Sequence, residues 1–166
     1  MTTAVVAAKK GNPLLIVEIF MTPVKITIQS VAVGQAGQKQ KEQLKFVASG
    51  SLQEKNGVYY VRYEESAVTG MQGTKTTLKW TTDALTVIRH GTYEHRQEHR
   101  LGLAYQSEYK TPYFIIPLRS VTRELQIKGT GTNWQLHLGY DMVMADTPNG
   151  TITLDICIEE EQSSGY

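Results

Sequence analysis

The chain of 166 residues carries a single cysteine, Cys157, which excludes an intrachain disulfide framework. Such sparse cysteine usage is what a reducing compartment selects, so a cytoplasmic location is the expectation. Neither sign of charge is in excess. The formal net charge is +1, and a near-neutral chain has no bulk attraction for nucleic acid or anionic lipid. Neither is therefore expected as a partner. Long apolar runs are also missing. Leu14 to Phe20 is interrupted by Glu18 and falls far short of the ~20 apolar residues that cross a bilayer. It follows Lys9 and Lys10 in the manner of a signal peptide, but no small-residue cleavage site follows it. Residues 1–20 therefore read as a non-targeting extension, with Met21 as an alternative start. The remaining option is that Leu14 to Phe20 forms an extra strand or a short helix on the main body. Sustained helical periodicity is absent as well. The Gly129-Thr130-Gly131 turn introduces no helix, which removes a phosphate-loop reading.

What the sequence has instead is alternation with a period of two, the mark of half-buried strands. Val24, Ile26 and Ile28 alternate with Lys25, Thr27 and Gln29, and Leu44, Phe46 and Ala48 repeat the pattern. A polar, glycine-containing turn from Gly34 to Gln40 separates these runs. Asn56-Gly57 is a strong hairpin signal, because both residues accept positive φ. Further strands are read over Val58 to Glu65, Lys75 to Trp80, Ala84 to Arg89, Tyr93 to Arg100 and Ala104 to Tyr109. Ile115 to Ser120, Glu124 to Lys128, Trp134 to Met144 and Ile152 to Ile158 complete the set. The turns between them are placed at Ala67 to Gly73, Thr82-Asp83, His90-Gly91, Leu101-Gly102, Gly129 to Asn133 and Asp146 to Gly150.

About ten short strands, closely spaced and each with one apolar face, predict one shared interior. Short connections favour next-neighbour pairing, so the expected fold is all-β: an antiparallel, up-and-down β-barrel of about 8–10 strands. Residues 21–160 read as one barrel domain, followed by a polar tail over 161–166.

Specific residues then align in order with a known group. Tyr63-Glu64-Glu65, Thr76-Thr77-Leu78-Lys79, Val87-Ile88-Arg89-His90-Gly91, Tyr109-Lys110-Thr111-Pro112-Tyr113, Leu138-Gly139-Tyr140 and Ile156-Cys157-Ile158-Glu159 together resemble the YwiB-like bacterial family. That family is a small domain of unknown function with a calycin-type, lipocalin-like barrel. The resemblance runs from about Val24 to Glu160 and implies the fold and a cytoplasmic setting. It supplies no catalytic residue. Two positions depart from the pattern: His99, where the family tends to carry an aromatic, and Phe114, where it tends to carry glycine.

Candidate site residues follow from charge and ring placement. Arg89 lies inside an apolar strand pattern, and a buried charge demands a partner. Glu64 and Glu65 are the candidate carboxylates, with Tyr109, Tyr113 and Tyr140 as hydroxyl donors. Two readings stay open: a salt bridge that closes the barrel, or an arginine clamp for a small anionic or amphipathic ligand. His95 and His99 share one strand face and are weak candidates for a metal, which would need a third ligand from a neighbouring strand. The expectation is no metal and no cofactor. Cys157 reads as a strand residue, since no neighbouring base would activate it. Two functions remain in play. One is a non-enzymatic barrel that binds a small molecule; the other is a protein-interaction or homodimerisation module with a filled barrel. An enzyme, a third alternative, is not expected. The discriminating feature is whether Phe46, Tyr60, Trp80 and Trp134 plug the interior.

Overall fold

The protein is described by a computed structural model covering residues 2–7, 16–34 and 41–161. Among these residues every regular element is a strand. The order is β1 (Thr2–Ala7), β2 (Ile16–Val33), β3 (Lys41–Lys55), β4 (Val58–Glu64), β5 (Thr74–Trp80) and β6 (Leu85–Gly91). It continues with β7 (His95–His99), β8 (Ala104–Lys110), β9 (Ile115–Thr130), β10 (Asn133–Met144) and β11 (Thr147–Glu160). β1 pairs with the first part of β2, from Thr2↔Met21 to Ala7↔Ile16. The other ten strands form one antiparallel sheet in the order β7-β6-β5-β4-β3-β2-β11-β10-β9-β8. The sheet curls until its ends meet, and Glu94 and Lys110 exchange both backbone hydrogen bonds across the seam (3.0 and 2.9 Å). The next-neighbour barrel inferred from the alternation is the observed fold. The Gly34 to Gln40 turn and the end of the polar tail lie outside the described residues, apart from Gly34 and Glu161.

Strand lengths depart from the expectation of uniformly short elements. β2, β3, β9, β10 and β11 have 12 to 18 residues, whereas β4 to β8 have 5 to 7. Ile115 to Ser120 and Glu124 to Lys128 are one strand, β9. Glu124 pairs with Gly139 and Thr122 with Tyr140, so Arg123 is the extra residue of a bulge that bends the strand without ending it. The turn expected over Asp146 to Gly150 is instead the two-residue turn Ala145-Asp146, with φ of 48° and 63°. Positive φ at both central residues matches the twist of the flanking strands, so Pro148 and Gly150 belong to β11. His90-Gly91 likewise stays within β6, and the turn before β10 narrows to Gly131-Thr132. Asn56-Gly57 is the hairpin turn its sequence predicts, with φ of 52° and 80°. Phe114 does not prevent a tight β8–β9 turn. Thr111 closes it: its amide and hydroxyl both donate to the Phe114 carbonyl, and its Oγ1 also accepts from the Phe114 amide.

Alternation decides what fills the barrel. Val24, Ile26 and Ile28 of β2, Leu136 and Leu138 of β10, and Ile156 and Ile158 of β11 form an apolar wall with Leu52, Val61, Leu78, Leu85 and Val87. A different chemistry lines the arc from β5 to β9. There Thr74, Thr76, His95, Gln97, His99, Ser120 and Thr122 are all buried. Buried polar groups persist where they find partners, and the two histidines find theirs across the seam, whereas Ser120 Oγ has none among the described residues. His95 Nε2 is hydrogen-bonded to Ser107 Oγ at 2.9 Å, and His99 Nδ1 to Thr122 Oγ1 at 3.0 Å.

Candidate functional site at the barrel mouth

The ladders of β4 to β7 stack inward-facing side chains in three rows. Tyr59, Trp80, Leu85 and His99 are cross-strand neighbours at one end. Val61, Leu78, Val87 and Gln97 form the middle row. Tyr63, Thr76, Arg89 and His95 form the row at the other end. Each step toward this mouth exchanges apolar bulk for polar atoms.

The first end is closed by rings. Tyr59 stacks on Trp80 (5.7 Å between centroids), and Trp134 packs against both, at 4.5 and 5.5 Å. Trp80 is 1% exposed. Tyr60 faces outward, under the cations of Arg62 and Lys79. Of the four rings considered as plugs, the two tryptophans fill this end.

The mouth is not filled. A cavity of about 170 Å³ opens there between Ile28, Leu44, Phe46, Leu154 and Ile156 on one side and Tyr63, Glu65 and Arg89 on the other. Thr69 and Met71 of the β4–β5 loop cover part of it. Glu65 is buried, and Gly50, opposite Tyr63 on β3, has no room for a side chain. A Cβ there would meet Ile26 Cδ1 at 2.8 Å and Tyr63 Cβ at 3.2 Å.

Two charged groups define this site. Glu65 Oε1 accepts from Thr76 Oγ1 at 2.8 Å, and Oε2 accepts from Thr69 Oγ1 at 2.7 Å. Arg89 is half-buried on β6, and its Nε is buried without a hydrogen-bond partner in the protein. Of the two readings of Arg89, the interior ion pair is not formed: among the described residues no carboxylate oxygen lies within 4.0 Å of its guanidinium. Burial pushes the Tyr63 hydroxyl well above its ordinary range, and the Glu65 charge adds to the shift. Burial also raises Tyr109, whose hydroxyl donates to Met71 Sδ at 3.8 Å. His95 is held down to about 4, first by burial and then by the nearby Arg89 charge. It is therefore neutral at pH 7.

The candidate residues thus divide. Arg89, Tyr109 and Tyr140 face the interior. Tyr140 is buried, 4.7 Å from the His99 ring and away from the cavity. Glu64 and Tyr113 are exposed, Tyr113 at 88% in the β8–β9 turn. The interior carboxylate is Glu65. Its signal was the period of two, since Glu65, one residue past β4, continues the phase of Val61 and Tyr63. Thr76, which completes the mouth with Tyr63, was not among the candidates, because an inward threonine looks like ordinary strand composition. His95 and His99 each bond a hydroxyl, and among the described residues no three histidine, cysteine or acidic side chains are grouped to hold a metal. Cys157 lies on β11 with its thiol raised by burial, the opposite of an activated nucleophile.

A second concavity of about 450 Å³ lies outside the barrel, beside His137, Asp155, Lys45 and Cys157. Its histidine is already committed: His137 bonds Glu124 and Asp155, each at 2.6 Å. The mouth differs in holding a guanidinium whose bonding demand the protein leaves unmet.

A narrow antiparallel barrel with one polar, unfilled mouth defines the class. Residues 26–156 match the domain of unknown function DUF1934, and the chain belongs to that family. The crystal structure of the YwiB protein from Bacillus subtilis is similar, with a TM-score of 0.75 at 20% identity. The similarity covers 87% of this chain and 96% of that one. The YwiB-like resemblance seen in the ordered motifs is thereby confirmed, and at this identity the structural likeness speaks for the fold. No curated protein matches the sequence. No helix among the described residues is long and apolar enough to cross a membrane.

Proposed function

We propose that this chain is a non-enzymatic binding barrel that holds one small amphipathic ligand in the mouth cavity. Arg89 receives the ligand's acceptor group, and the wall of Leu44, Phe46 and Leu154 receives its apolar body. The observation that carries this reading is the buried, unpartnered Arg89 Nε on the cavity. An orphaned donor of this kind costs on the order of 1–3 kcal/mol, a cost that a ligand acceptor removes. The cavity volume corresponds to roughly six waters at ~30 Å³ each, which restricts the ligand to a small metabolite. Barrel diameter grows with strand number and about eight strands are already wide enough for one small ligand, so the ten strands here leave room for such a guest. A reducing, cytoplasmic setting accords with the single unactivated cysteine.

Native mass spectrometry of the gently purified full chain tests this. The expected result is a non-covalent adduct that is lost on denaturation and lost in Arg89→Met. A bare monomer, or an adduct unchanged in Arg89→Met, would overturn it. A second reading, an interaction or homodimerisation module, draws support from Tyr113, Phe114 and Ile115, which are all exposed at the tip of the β8–β9 hairpin. A bare dimer in the same experiment would favour it.

A further inference from the structure

Resting on the binding-barrel reading, we infer that the ligand is a small zwitterion carrying an ammonium and a carboxylate beside an aliphatic body: an apolar α-amino acid in its chemistry. The mouth presents one cation and one anion, Arg89 and Glu65, and both line the same cavity. They do not neutralise each other by contact, since no Arg89 nitrogen lies within 4.0 Å of a carboxylate oxygen among the described residues. Each retains bonding capacity. Glu65 accepts one threonine hydroxyl on each oxygen and also lies beside the Tyr63 hydroxyl, which still leaves one of the carboxylate's roughly four accepting positions for a guest. Arg89 retains the buried Nε–H.

Charge balance then selects the guest. His95, the cross-strand neighbour of Arg89, is hydrogen-bonded to Ser107 and neutral, so the mouth sums to zero formal charge. A simple carboxylate would satisfy Arg89 but bring a like charge beside Glu65 in a poorly solvated space. A simple amine would satisfy Glu65 but face Arg89. In a low-dielectric site either mismatch costs more than it would in water. A dipolar guest meets both groups at once, with its carboxylate on Arg89 and its ammonium on Glu65. The opposite wall of Leu44, Phe46 and Leu154 is apolar and takes the side chain.

Isothermal titration of the full chain with leucine and two isosteres decides this. One isostere, 4-methylpentanoate, lacks the ammonium; the other, isopentylamine, lacks the carboxylate. Leucine is expected to bind at least about tenfold tighter than either, the fold-change that one unmet buried charge produces. In Glu65→Gln, leucine should lose its advantage over 4-methylpentanoate. Equal or tighter binding of 4-methylpentanoate by the unaltered chain would overturn the zwitterion and leave the binding barrel standing. So would an adduct in native mass spectrometry combined with no binding of leucine. No adduct and no binding of any of the three would overturn both. The isostere series uses the unaltered chain, so its outcome holds even if Glu65→Gln does not fold.

Discussion

The two ends of this barrel are built from the same strands and have opposite chemistry. Four residues along β4 separate Tyr59 from Tyr63, and equal steps separate Trp80 from Thr76, Leu85 from Arg89, and His99 from His95. One end is a stack of rings with no room left, and the other is a cavity flanked by a buried carboxylate and a guanidinium. The difference shows how an antiparallel ladder turns a one-dimensional pattern into layers. Each cross-strand row gathers the inward residues of one height, so a polar substitution in several strands at the same height creates a site, while the rows above it remain core. Stability should therefore concentrate at the ring end and binding at the mouth.

The strongest test of that division is Trp80→Ala. Removing a fully buried ring costs about 3–5 kcal/mol, read as a lower midpoint in urea unfolding. A loss under ~1 kcal/mol would show that the ring end does not hold the barrel together.

Acid should act next, through the seam. His95 and His99 are both held to about 4, mainly by burial, against an ordinary value of 6.5. The unfolded chain therefore binds more protons than the folded one between pH 6.5 and 4. Stability should fall as pH drops through that window, by up to ~3 kcal/mol per histidine at about 1.4 kcal/mol per pKa unit. His137, on the outer face, runs the other way. Hydrogen bonds to Glu124 and then Asp155 raise it, so its smaller contribution is present below pH 6.5 and fades as pH rises through its folded value. A histidine-resolved NMR titration checks both signs; His95 and His99 titrating near 6.5 would remove the acid effect.

The smallest expected change is at the mouth. Arg89→Met removes no ion pair; the relief of an orphaned donor and the loss of the side chain's own packing oppose each other, so unfolding stability should shift by less than about 1 kcal/mol net. A loss of ~3 kcal/mol or more, the signature of breaking a buried pair, would mean that Arg89 belongs to the core and the two ends are not functionally distinct.

Much of this was legible in the chain. The phase of Val24, Ile26 and Ile28, repeated from strand to strand, is enough to give a single interior, and Asn56-Gly57 announces its hairpin. The bulge at Arg123 was not legible, because an extra residue in one strand is defined only by the partner it fails to pair with. Arg89 stood out as a charge in an apolar run. That Glu65 rather than Glu64 faces inward follows from the phase of β4, but the distance between Glu65 and Arg89 does not.

By itself the sequence determined strands instead of helices, one barrel, no disulfide and the inward phase of each strand, since all of these depend on residues within a few positions of one another. Tertiary structure alone decided that the rings of β4, β5 and β10 meet at one end, that His95 and His99 tie the seam to β8 and β9, and that Arg89 and Glu65 share a cavity without touching. Those outcomes depend on the register between strands and on the curl of the sheet, which bring together residues far apart in the chain: Tyr59 and Trp134, whose rings touch, are 75 positions apart.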